Sequence, residues 1–251
     1  MILRYSRDLL ILLVLILVGA CKNNDSDSTV PPGLIVSDIK VLFIGNSFTF
    51  YNNGIDFHLQ KMLEADQFND TAVYSIQRIA ESSYTLQAHY QNAATLQKIK
   101  SDTWNVVVLQ EQSTRPINNP TLFQQYAQNL DQEVKRITAK TALFMTWAPK
   151  DSPTDIRTLS SSYIKVGSVL GAQVVPVGNV WDAFVKANPS INLYHSDGKH
   201  PSLAGTYLVS CCFYYALFEK NPIISTYLPS GLSSQYAVAI RYAVYNYLQT
   251  Y

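Results

Sequence analysis

The chain has 251 residues, 47% of them hydrophobic and 15% charged, which suits one globular domain with a sizeable core. Its formal charge is +1, and removing Arg4, Arg7 and Asp8 with an N-terminal leader makes it neutral, with no basic run. That balance argues against a nucleic-acid partner.

The first recognisable element lies outside the core. Arg4 and Arg7 precede an apolar run over 9–18, and Gly19 and Ala20 close it. The run is shorter than the ~20 residues a bilayer-spanning helix needs, so residues 1–20 read as a secretory signal. Cys21 follows directly. Val-Gly-Ala-Cys (18–21) resembles the lipobox of bacterial lipoproteins, in which the cysteine is lipidated and becomes the mature N-terminus. A plain signal peptide with an incidental cysteine is the other reading. KNNDSDSTVPPG (22–33) has too little apolar surface to fold, so 21–37 is expected to be a flexible tether. Lysine rather than aspartate follows Cys21. By resemblance to lipoprotein sorting, that points to an outer membrane, on its periplasmic or surface face. The remainder, 38–251, reads as one domain without internal repeats, expected to be a monomer.

From Asp38 onward apolar runs alternate with helical periods. The runs over 41–44, 72–76, 106–109, 142–147 and 174–177 are predicted strands. The first and third are continuously apolar, as central parallel strands covered on both faces are. Pro176 makes the last an edge strand or cuts it short. Between them, Ile55, Leu59, Met62 and Leu63 share one helical face. Ile156, Leu159, Tyr163, Val166 and Leu170 form a second stripe, and Ala237, Ile240, Val244 and Leu248 a last one. The alternation predicts a three-layer α/β/α sandwich around a parallel sheet of about five strands.

The chemistry-bearing residues are few. Cys211 and Cys212 are adjacent in an apolar helical pattern, where strain disfavours a mutual disulfide. No CxxC or His/Cys cluster suggests a zinc site. VLFIGNSFTF (41–50) breaks abruptly from a strand to Gly45, Asn46 and Ser47. Ser47 is either the cap of the next helix or a nucleophile held at the carboxyl edge of the sheet. Four histidines exist: His58, His89, His195 and His200. His200 stands in HSDGKHPSLAG (195–205), three residues after Asp197, and Ser202 there is placed to cap a helix through Tyr207 and Cys211. One turn of chain can bring the Asp197 carboxylate to the Nδ1 side of His200, leaving Nε2 for a nucleophile elsewhere. A lone D-x-x-H also suits an ordinary capped loop.

The pair of motifs is more telling. Gly-Asn-Ser (45–47) after the first strand and Asp197-x-x-His200-Pro201 before the last helices resemble the SGNH, or GDSL, hydrolases. The resemblance spans most of the chain after residue 38. The α/β-hydrolase elbow G-x-S-x-G is absent, because Thr49 stands two residues after Ser47. The resemblance implies a Ser47–His200–Asp197 triad acting on esters without metal or organic cofactor.

It also implies an oxyanion hole, where this chain departs from the family. The second block normally offers a glycine N–H. In AESSYTLQAHY (80–90), Ser82 and Ser83 stand at that place. A backbone N–H survives the change if the backbone angle suits a residue with a Cβ. His89 in this block is expected to be structural. The third block normally supplies asparagine; here VVVLQEQSTRP (106–116) has Gln110 and Gln112, which face one side if the strand continues. Either amide is a candidate oxyanion donor, with Glu111 pointing away as a structural residue. Asn46 and Tyr84 are candidate substrate contacts. Tyr51, Tyr84, Trp147 and Trp181 suit either stacking on sugar rings or the core.

The expected activity is that of a carbohydrate O-acetylesterase or similar deacylase acting on a small-molecule or glycan ester. A lipase, a thioesterase or an acyltransferase would use the same residues. A lipoprotein that binds surface glycans without turnover is the non-enzymatic alternative.

Overall fold

The computed structural model describes residues 38–66 and 72–251. The expected leader (1–20), the acylation residue Cys21 and the tether (21–37) lie outside the described residues. Among the described residues no helix is long and apolar enough to cross a membrane.

Five parallel strands form one sheet: β1 (Asp38–Gly45), β2 (Val73–Ala80), β3 (Val106–Leu109), β4 (Lys140–Phe144) and β5 (Gln173–Val175). Their order is β2-β1-β3-β4-β5. The two continuously apolar runs are β1 and β3, two of the three inner strands, paired from Val41 with Val106 to Ile44 with Leu109. Val41, Leu42, Phe43 and Ile44 are fully buried. Covering such side chains on both faces stabilises the fold by roughly 1.5–3 kcal/mol each. β5 is an edge strand that stops at Val175, one residue before Pro176. β2, the other edge, runs on to Ala80 past Gln77 and Arg78, which an edge strand accommodates on its half-exposed face.

Helices cover both faces. Odd and even residues of β1 point to opposite sides, as the strand period of two requires. Val41 and Phe43 pack on α2 (Ile55–Ala65), α8 (Val177–Ala187), α9 (Leu203–Phe218) and α10 (Ser234–Leu248). Leu42 and Ile44 pack on α3 (Leu86–Gln91), α4 (Ala93–Lys100), α6 (Pro120–Arg136) and α7 (Ile156–Leu170). The three predicted stripes are the buried faces of α2, α7 and α10. Helix α9 is buried at every position from Ala204 to Tyr214, so its apolar residues run all round. Cys211 and Cys212 are there as free, buried thiols.

Two four-residue helices sit at the carboxyl edge of the sheet: α1 (Ser47–Phe50) after β1, and α5 (Arg115–Asn118) just after β3. The loops after β1, β2 and β3 meet there. The Gly45 carbonyl accepts the Glu81 N–H at 3.2 Å, and the Ile44 carbonyl accepts the Gln110 N–H at 2.9 Å.

Candidate active site

Ser47 is the first residue of α1, immediately beyond the end of β1. Asn46 is its extended N-cap, and Asn46 Oδ1 accepts the Phe48 N–H at 3.1 Å. The Asn46 Nδ2 amide donates to the Tyr84 carbonyl at 2.9 Å, which ties this turn to the loop after β2. The Ser47 N–H itself has no acceptor among the described residues, so the helix start presents a free donor beside the Ser47 hydroxyl. The glycine before this turn is required by close approach. A Cβ on Gly45 would lie 2.3 Å from Thr49 Oγ1 and 2.5 Å from Gln110 Oε1.

His200 reaches Ser47 from the far end of the chain. His200 Nε2 lies 2.9 Å from Ser47 Oγ, and His200 Nδ1 lies 2.6 Å from Asp197 Oδ2. The second oxygen of Asp197 accepts the N–H groups of Lys199 and His200, each at 2.9 Å. Burial alone would raise the Asp197 pKa. The bonds from the His200 ring and from these two N–H groups outweigh it and hold the carboxyl well below the usual carboxylate range. An ionised Asp197 selects the tautomer with the proton on Nδ1, leaving Nε2 as acceptor for the Ser47 hydroxyl.

The loop that carries the pair is held on several sides. Tyr194 bridges Pro201, and the His195 N–H donates to the His200 carbonyl at 2.8 Å. Trp147 Nε1 donates to the Lys199 carbonyl at 3.0 Å. Asn52 Nδ2 donates to the Pro201 carbonyl at 3.0 Å and to Thr206 Oγ1 at 2.8 Å. The Tyr51 ring stacks on the His200 imidazole at 4.3 Å and 9°. Phe48 meets the same ring edge-on at 5.6 Å, and its other contacts continue as a stack through Trp147 to Trp181. Trp147 and Trp181 are therefore core, and Tyr51 packs on the histidine. Ser202 caps α9, accepting the Gly205 N–H.

A cleft of about 530 Å³ opens beside the triad. Ser47, Ser83, Gln112 and His200 all line it. Ser83 has φ 61°, in the left-handed region where glycine would be at ease. The Ser83 N–H has no acceptor among the described residues. Ser82 is exposed and does not line the cleft. The two glutamines part company because β3 ends at Leu109, so the strand alternation that would align them does not continue. Gln110 is buried: its Oε1 accepts the Asn46 N–H at 2.9 Å and the Thr49 hydroxyl at 3.0 Å, and its Nε2 donates to the Glu111 carbonyl at 2.5 Å. It braces the serine turn and does not line the cleft. Gln112 spends Oε1 on the Thr114 and Arg115 N–H groups, which turns its Nε2 outward with only a 3.4 Å contact to Ser113.

Asn46 lines the cleft but is buried and committed to the turn. The Tyr84 ring packs edge-on against His89 and is not part of the cleft wall. His89 is fully buried, with Nε2 2.8 Å from the Gly45 carbonyl and Nδ1 3.0 Å from Thr95 Oγ1. Burial lowers its pKa, so it is a neutral tie between α3 and the end of β1. Among the described residues there is no group of His, Cys, Asp and Glu that could hold a metal ion. Tyr51 and Asn52 are contributions the motif reading did not assign; the Asn-Asn-Gly turn (52–54), with positive φ at all three, was their available signal.

No family model and no curated protein matches the chain. Solved structures do. The chain is similar to a DUF4886 family protein from Bacteroides uniformis, with 17% identity over 85% of this chain and 95% of that one and a TM-score of 0.69. It is similar to a candidate SGNH hydrolase from Slackia heliotrinireducens, with 22% identity, 72% and 100% coverage and a TM-score of 0.60. An acetyl xylan esterase matches with 19% identity, 71% and 100% coverage and a TM-score of 0.60. At these identities the likeness establishes the fold, which the chain shares with SGNH hydrolases and esterases.

Proposed function

We propose that the chain is a serine esterase that works through an acyl-enzyme. The observation that carries this reading is the continuous Asp197–His200–Ser47 hydrogen-bond path, 2.6 Å and then 2.9 Å, at the edge of the cleft. Ser47 Oγ attacks the ester carbonyl while His200 Nε2 takes its proton. Asp197 stabilises the imidazolium that forms. The carbonyl oxygen becomes an oxyanion, with the Ser47 N–H, the Ser83 N–H and Gln112 Nε2 as its donors. Collapse expels the alcohol, which takes the proton from His200. Water then attacks the acyl-serine, His200 again acting as base, and the acid leaves. Every step uses protein groups and water.

The lining supports a small acyl group on a hydroxyl-rich alcohol. Ser113, Thr114, Ser152, Asp151, Asp155 and Lys199 bring polar side chains to the wall, beside the apolar Phe48 and Pro149. Sugar hydroxyls match such a surface, whereas a long acyl chain needs an apolar channel. The acetyl xylan esterase among the structural neighbours agrees with a carbohydrate deacetylase. The leader and Cys21 support a lipid-anchored location in the cell envelope, tested by the mass of the mature N-terminus.

Acetate release from p-nitrophenyl acetate and acetylated oligosaccharides tests the activity in the full chain. Ser47→Ala and His200→Ala should each cost about 10⁴–10⁶ in kcat. Wild type no faster than either variant would refute the esterase. An acceptor alcohol that collects the acyl group in place of water would make the protein an acyltransferase. A preference for long acyl chains would make it a lipase or thioesterase. Glycan binding without turnover would leave the non-enzymatic lipoprotein.

A further inference from the structure

Glu111 lies between the two glutamines just past β3, and its side chain turns away from the cleft into the layer of α3, α5 and α7. It is fully buried. Its Oε1 accepts two backbone N–H groups, from Leu86 at 3.1 Å and from Gln112 at 2.6 Å. Leu86 begins α3, three residues after Ser83. Gln112 carries the outward-facing carboxamide. One oxygen therefore joins the loop after β2 to the loop after β3, and these are the two loops that bring donors to the cleft opposite Ser47.

A neutral acceptor could tie two loops together without cost. A buried carboxylate is an expensive choice, because burial disfavours its charge. Burial pushes the Glu111 pKa up to about 7, against the lowering effect of the Gln112 and Leu86 N–H bonds and of Arg115. Its Oε2 has no hydrogen-bond partner among the described residues. The ionisable groups that face it are Arg115 on α5 and Tyr163 on α7. His89 on α3 is turned instead to Gly45 and Thr95. A charged acceptor holds its donors about twice as strongly as a neutral one, so the cost secures a stiffer clamp.

We propose that Glu111 is a positioning residue for the oxyanion donors: its carboxylate, holding the Leu86 and Gln112 N–H groups on one oxygen, fixes the spacing between the Ser83 N–H and the Gln112 carboxamide. The inference rests on the esterase reading above. Protonation of Glu111 weakens the clamp, so turnover should fall as pH drops through the titration of Glu111.

The test uses the full chain as wild type, Ser47→Ala and Glu111→Gln. Turnover of p-nitrophenyl acetate is followed from about pH 5 to about pH 9. Glu111→Gln should lower kcat by about 10-fold to 10²-fold, less than or equal to the loss of one oxyanion donor, with KM within about twofold. The steep acid side of the wild-type profile should become a single-proton limb in Glu111→Gln. Independently of turnover, the wild-type amide resonances of Leu86 and Gln112 should titrate together with a midpoint near 7 and stay flat in Glu111→Gln. Unchanged kcat in Glu111→Gln, or amides that do not titrate in wild type, would overturn the proposal while leaving the esterase intact. Wild type no more active than Ser47→Ala would overturn both, since no reaction would remain for Glu111 to serve.

Discussion

Glu111→Gln also makes a stability prediction that needs no substrate. A carboxyl whose pKa is raised on folding binds its proton more tightly in the native protein than in the unfolded chain. Native Glu111 titrates at about 7 against an ordinary value of 4.5. Between those limits the native state holds the extra proton, so stability falls as pH rises through the window and levels off above 7. A shift of about 2.5 units corresponds to about 3 kcal/mol in all, of which about 2 kcal/mol falls between pH 5.5 and 8. Burial lowers the pKa of His58 and His89, which makes stability fall in the opposite direction, on acidification. Those groups are common to both proteins and cancel in a difference. Urea unfolding of wild type and Glu111→Gln at both pH values gives that difference directly, and any constant cost of the substitution also drops out. The variant should gain about 2 kcal/mol on wild type between pH 5.5 and 8. Parallel stability curves would refute the account of Glu111 as a buried, costly carboxylate.

Three further outcomes follow from the site. Gly45→Ala drives a Cβ against Thr49 Oγ1 and Gln110 Oε1, so the serine turn must shift; kcat/KM should fall by about 10²-fold while unfolding experiments show a loss of about 1–3 kcal/mol. Full activity in that variant would mean the turn tolerates the displacement. Ser83→Gly keeps the N–H and suits the positive φ, so its kcat should stay near wild type, whereas Ser83→Pro both lacks the N–H and cannot adopt the positive φ and should lose about 10²-fold or more. Equal activity of the two would remove the Ser83 N–H from the oxyanion hole. Asp197→Asn takes the ionised acceptor from His200 Nδ1 and should lower kcat by about 10²–10⁴ at neutral pH with little change in KM; a rate close to wild type would show that backbone groups alone orient the ring.

The layering was legible because burial leaves a direct trace in residue type. Val41 to Ile44 and Val106 to Leu109 could be read as inner strands since both their faces are covered. The sequence pattern ends β2 at Ile76, because Gln77 and Arg78 interrupt an apolar run that an exposed edge does not need. Gly-Asn-Ser and Asp-x-x-His could be paired only through family resemblance, since 153 residues separate Ser47 from His200 and no local spacing records their contact. The split between Gln110 and Gln112 was not legible: it depends on β3 stopping at Leu109, a boundary set by the turn at Gln112 to Arg115. Glu111 acts through backbone groups of distant loops, and backbone partners leave no signature in side-chain identity.

Esterase chemistry at this site requires Ser47 to be an activated nucleophile. The most direct measurement treats the full chain with a fluorophosphonate and locates the adduct by peptide mass. The triad geometry predicts one adduct, on Ser47, formed far more slowly in His200→Ala and absent in Ser47→Ala. An unlabelled Ser47 in the folded wild-type protein, or an adduct on another residue, would contradict it.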